Sequence, residues 1–132
     1  MAELLVPISP GELIDKITIL EIKSARMTDA AKLHNVRTEL NLLLETWRAS
    51  DYSNVDISAE WASLRDVNTR LWVIEDDIRD KELAGEFDAK FIELARAVYV
   101  TNDERAKIKR VINTKLGSAL VEEKSYKEYK KQ

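Results

Sequence analysis

Three glycines and two prolines are all that 132 residues offer for turns, and this scarcity constrains the fold more than any other feature. A many-stranded sandwich or barrel needs a turn every few residues, so both are excluded. The hydrophobic pattern points instead to helices. Ser9-Pro10-Gly11-Glu12 reads as a capping box with proline at the first helical position. The Ser9 hydroxyl is expected to cap the amide of Glu12, and the Glu12 carboxylate to reach back to the amide of Ser9. Leu13, Ile14, Ile17, Leu20 and Ile22 then form a stripe widened by Ile19, ending near Met27. Thr28-Asp29 caps a second helix with a seam of Leu33, Val36, Leu40, Leu43 and Trp47, edged by Leu42 and Leu44. The connection is short, which predicts an antiparallel hairpin.

Residues 50–54, Ser-Asp-Tyr-Ser-Asn, are the clearest loop. A third helix is expected from Ser58, burying Trp61, Leu64, Val67, Leu71, Ile74 and Ile78, and ending at Gly85 in a left-handed position. Asp88 caps a fourth, with Phe91, Leu94, Ala95 and Val98. Thr101-Asn102-Asp103-Glu104 is a second capping box, where the chain is expected to restart or kink before Ile108, Val111, Ile112, Leu116 and the stop at Gly117. The fold class expected is therefore all-α: about four main helices, bundle-like, in one domain over residues 1–132. Residues 1–8 read as an extended arm because Leu4, Leu5, Val6 and Ile8 have no polar face and Pro7 forbids a helix. Residues 118–132 read as a basic tail that frays.

Composition removes several functions. With no cysteine there is no disulfide scaffold, thiolate zinc site or cysteine nucleophile, and one histidine argues against multi-histidine metal centres and a catalytic triad. The longest apolar runs are too short to span a membrane and no signal peptide is evident, so a cytoplasmic protein is expected. Residues 105–132 hold nine Lys or Arg against three Glu, whereas residues 75–93 hold eight acids against three bases. These regions can attract each other within a fold or between subunits. Nucleic acid is not expected as a partner, because the chain is acidic overall, with a net charge of −3.

Two acidic pairs, Glu12 with Asp15 and Asp77 with Asp80, could each project from one helix face and together hold Mg²⁺, as in all-helical nucleotide pyrophosphohydrolases. They lie far apart in the chain, and first-turn acids also serve the helix dipole, so no metal is assigned. Over Ile14-Asp15-Lys16-Ile17 and Arg26 the first helix resembles that of the helical chorismate mutases, which stabilise a dianionic transition state with buried Arg and Lys. Gly11 and Thr18 depart from that pattern. A third strip is more suggestive. Arg65, Asn68, Trp72, Glu75, Asp76 and Arg79 flank the third helix's stripe, and Arg96, Tyr99 and Asn102 could face them. The candidate ligand or partner groove is Trp72, Glu75, Asp76, Arg79, Arg96, Tyr99 and Asn102, suited to a small anionic or sugar-like ligand or to a partner surface.

Residues 7–26 (PISPGELIDKITILEIKSAR) and 71–126 (LWVIEDDIRDKE, then FIELARAVYVTNDERAKIKRVINTKLGSALVEEKSY) resemble a family of short bacterial and phage proteins catalogued as a domain of unknown function. The resemblance implies no activity, cofactor or catalytic residue. Relatives can lie near sugar and cell-surface polysaccharide genes, so it leans toward carbohydrate metabolism. From the residues themselves, the expectation is a non-enzymatic interaction or assembly module without cofactor, forming a homo-oligomer (a dimer first) or binding another protein. The alternative is a small helical enzyme or binding protein for a phosphorylated or sugar-linked metabolite, possibly Mg-dependent.

Overall fold

The computed structural model describes residues 3–130; residues 1, 2, 131 and 132, the outer ends of the expected arm and tail, lie outside the described residues. Helices α1 (Pro10–Arg26), α2 (Ala30–Ala49), α3 (Ser58–Ala84) and α4 (Ala89–Leu116) follow in order, with a 3-10 turn at Asp51–Asn54. Of the described residues 75% are helical, the 3-10 turn included, and the all-α expectation holds. Among the described residues no helix is long and apolar enough to cross a membrane.

The caps lie where side-chain chemistry puts them. Ser9 Oγ accepts from the Glu12 amide at 3.2 Å, Asp29 from Lys32 at 2.9 Å and Asp88 from Phe91 at 3.0 Å. Ser9→Ala should cost about 1 kcal/mol, read as a lower denaturation midpoint. Gly85 and Gly117 both take φ of 67°, the left-handed position that closes α3 and α4. Only half of the first capping box forms. The Glu12 carboxylate turns away from the Ser9 amide and accepts from Lys109 Nζ at 2.6 Å, since a charge-assisted bond to an ammonium outweighs one to a neutral amide.

The second capping box does not operate, and α4 runs unbroken through Thr101. Thr101 is buried, and Glu104 accepts from Arg70 of α3 at 2.8 Å instead of folding back. Neither glycine nor proline interrupts this stretch, so nothing forces a stop.

Helix α1 packs against α2, α3 and α4, and α3 packs along α4. Ile14, Ile17, Leu64 and Ile112 are fully buried at the centre, with Leu13, Trp47 and Ile57 around them. Each such side chain contributes about 1.5–3 kcal/mol on leaving water. The seam of α2 buries Val36 and Trp47 and half-buries Leu40, Leu43 and Leu44. Trp47 meets Trp61 edge to face, ring centres 5.9 Å apart, which joins α2 to α3.

Residues 118–130 form no helix and run back beside α4. Glu122 pairs with Lys109 at 2.7 Å, Lys124 with Asp103 at 3.2 Å, and the Tyr129 ring lies 5.1 Å from that of Tyr99. The Tyr129 hydroxyl and Lys124 hold Asp103 below the usual carboxylate range.

At the α3–α4 turn, Lys81 and then the Phe91 amide hold the Asp88 carboxyl below its ordinary value. A lowered folded-state pKa gives stability that is present above the unfolded value and lost as pH falls through the folded one. Asp88→Ala should therefore lower the melting temperature at neutral pH, and by progressively less as the pH falls through the folded-state pKa and the wild-type carboxyl takes up its proton. Melts of both proteins across a descending pH series check this.

Candidate functional site

The N-terminus of α1 is docked on α4 by backbone contact. The Gly11 N–H donates to Asn113 Oδ1 at 2.7 Å, which satisfies a first-turn amide from a different helix. A Cβ at Gly11 would stand 2.5 Å from the Lys109 carbonyl oxygen, so only glycine allows this approach.

One turn on, Asp15 is buried at 1% exposure. Its Oδ1 accepts from Asn68 Nδ2 of α3 and from Arg105 Nε of α4, each at 2.9 Å, and its Oδ2 accepts from Arg105 Nη2. Asn68 also donates to Thr18 Oγ1 at 3.0 Å, while that hydroxyl donates to the Asp15 carbonyl. Lys109, one turn after Arg105, has its ammonium between Glu12 and Glu122 and 3.9 Å from Asp15. Burial alone would pull Lys109 down, but its bonds to Glu12 and Glu122 outweigh that and leave it above the ordinary lysine value. Arg105 is raised in the same way, chiefly by Asp15.

This cluster joins three helices. It was not anticipated as a unit: Glu12 and Asp15 read as first-turn acids or half of a Mg²⁺ site. In the structure each is already occupied by a cation. Asp77 and Asp80 stand exposed on α3, and among the described residues no three acidic or histidine side chains gather to share a metal ion.

Beside the cluster, α1, α3 and α4 part into an open hollow of about 470 Å³. Helix α1 contributes Ile19, Ile22 and Lys23. Helix α3 contributes Asn68, Leu71, Trp72, Glu75, Asp76 and Arg79, and α4 contributes Asn102 and Arg105. Trp72, Glu75, Asp76, Arg79 and Asn102 are thus brought together. Arg96 and Tyr99 are not: both are exposed on α4 outside the hollow, and Tyr99 meets Tyr129 edge to face. Arg79 pairs with Glu75 at 2.8 Å across one helical turn. Arg65 leaves the strip to meet Glu21 at 3.7 Å. Arg105 is the residue the sequence reading missed. A signal existed: Thr101, Arg105, Lys109 and Asn113 recur every fourth position, one face of α4.

The Asp15 fork uses Nε and Nη2 of Arg105, so the guanidinium is held rigidly where the side chain lines the hollow. A guanidinium fixed in this way can receive an oxyanion without being reordered. The hollow thus combines a fixed cation, an aromatic wall and side chains that accept or donate hydrogen bonds.

No curated protein and no solved structure matches the chain. The model of a family described as "Family of unknown function (DUF6165)" matches residues 4–130, nearly the whole chain, in keeping with the resemblance carried by residues 7–26 and 71–126. The chain belongs to that family.

Proposed function

We propose that this protein is an interaction and assembly module that forms a homo-oligomer, a two-fold dimer being the simplest form. One observation carries the reading. Leu4, Leu5 and Val6 are 93%, 88% and 70% exposed, directly before a helix end that is firmly docked. Three consecutive large apolar side chains in water are costly, and a surface on a second copy would relieve them. The α3–α4 turn, which exposes Leu83, Phe87 and Ile92, offers a second apolar surface that another copy could cover.

Multi-angle light scattering at about 10 µM tests this. The expected mass is twice 15.2 kDa for the full chain, falling to 15.2 kDa in the Leu4→Ser, Leu5→Ser double variant with its helix content intact. A monomeric wild type would overturn the assembly reading. A dimer that survives the double variant would remove the arm from it.

A further inference from the structure

We infer that the hollow between α1, α3 and α4 binds a small hydroxylated oxyanion: a ring or polyol bearing a phosphate or carboxylate, with the oxyanion on Arg105 and the body against Trp72. This is independent of the assembly reading. Its core is the outer edge of the Arg105 guanidinium. Asp15 takes Nε and Nη2, which leaves Nη1 outside that fork. The side chain is 30% exposed and lines the hollow. Because Asp15 already fixes the guanidinium plane, an arriving anion orders little that was free, which is where preorganised sites gain affinity.

The remaining groups set the kind of molecule. Lys23 adds a second cation, and Asn102 adds a side-chain amide that can donate and accept. Trp72 gives a half-exposed aromatic face, suited to the C–H face of a saturated ring. Arg79 and Glu75 neutralise each other, whereas Asp76 keeps an unshared carboxylate that would repel a second anionic group and accept from hydroxyls. One anionic head on a hydroxylated body satisfies all of these. A volume near 470 Å³ lies within the usual small-molecule range of about 300–1,000 Å³.

The test is an NMR titration of the ¹⁵N-labelled full chain with glucose 6-phosphate, glucuronate, glucose and inorganic phosphate, each to about 10 mM. The proposal predicts that at least one charged sugar shifts the Trp72 indole, Asn102 amide and Arg105 Nε–H signals together. Its dissociation constant should be below about 1 mM and at least tenfold tighter than that of glucose. Response to glucose 6-phosphate alone assigns a phosphate head, to glucuronate alone a carboxylate, and to both the shared oxyanion chemistry. Trp72→Leu and Lys23→Ala leave the Asp15 cluster intact, so they fold even where an Arg105 variant does not, and each should weaken binding about tenfold. The inference is overturned if no probe moves those three signals, if glucose binds as well as the charged sugars, or if the two variants bind like wild type. Light scattering on the same samples keeps the outcome separate from that of the assembly reading.

Discussion

Asp15→Ala should be the most damaging single substitution away from the apolar core, lowering unfolding free energy by about 3–5 kcal/mol. The carboxylate is 1% exposed and accepts from Arg105 and Asn68 while facing Lys109. Removing it strands a guanidinium and weakens the setting of a buried ammonium, and uncompensated buried charge is what makes broken ion pairs expensive. Most domains have only about 5–15 kcal/mol in total, so a large share is at stake. Asp15→Asn keeps the shape and an acceptor for Arg105 and should fall between wild type and Asp15→Ala. Asp77→Ala and Asp80→Ala, at exposed positions of α3, should stay within about 0.5 kcal/mol of wild type. Urea denaturation of the four variants checks the order.

Gly11→Ala is the second large effect, although it adds one methyl group. That carbon would lie 2.5 Å from the Lys109 carbonyl oxygen and 2.9 Å from Asn113 Oδ1. Backbone cannot swing aside as a side-chain tip can, so α1 must lift from α4. The lift breaks the Gly11–Asn113 hydrogen bond and loosens the Lys109–Glu12 pair above it. Overpacking costs about 1–3 kcal/mol, and a buried hydrogen bond lost with its partner unsatisfied costs a similar amount. The expected loss is about 2–4 kcal/mol. Gly85→Ala and Gly117→Ala meet no neighbour and should cost less, about 1 kcal/mol each, from the left-handed φ alone. Thermal melts separate the two causes.

Local chemistry explains why much of the fold was readable. Ser9, Asp29, Asp88, Gly85 and Gly117 each act within a turn of their own position, and the seam from Leu33 to Trp47 follows one helix face. The second capping box misled because its Thr and Glu are equally at home inside a helix whose neighbours offer partners, here Arg70 for Glu104. The candidate groove divided for a related reason. Trp72, Glu75, Asp76 and Arg79 share one face of α3, which periodicity reveals. Which residues of α4 face them depends on the rotation of α4, and that is set by Gly11, Asp15 and Glu12 docking on Lys109, Arg105 and Asn113. Those contacts join residues 90 to 102 positions apart, beyond any local pattern. Arg105 and Lys109 looked like solvated charge, and Asp15 like a helix-dipole acid. Their pairing follows only once α1 lies against both α3 and α4.

The ion cluster around Asp15 ties α1 to α4 and holds Arg105 at the edge of the hollow. A double-mutant cycle on Asp15→Asn and Arg105→Gln, read by urea denaturation, measures that tie. Residues in one hydrogen-bonded network couple by about 0.5–3 kcal/mol. The expected coupling is about 1.5 kcal/mol or more, with the double variant less damaged than the summed single losses. Additive losses, with coupling near zero, would mean that Asp15 and Arg105 do not hold the two helices together.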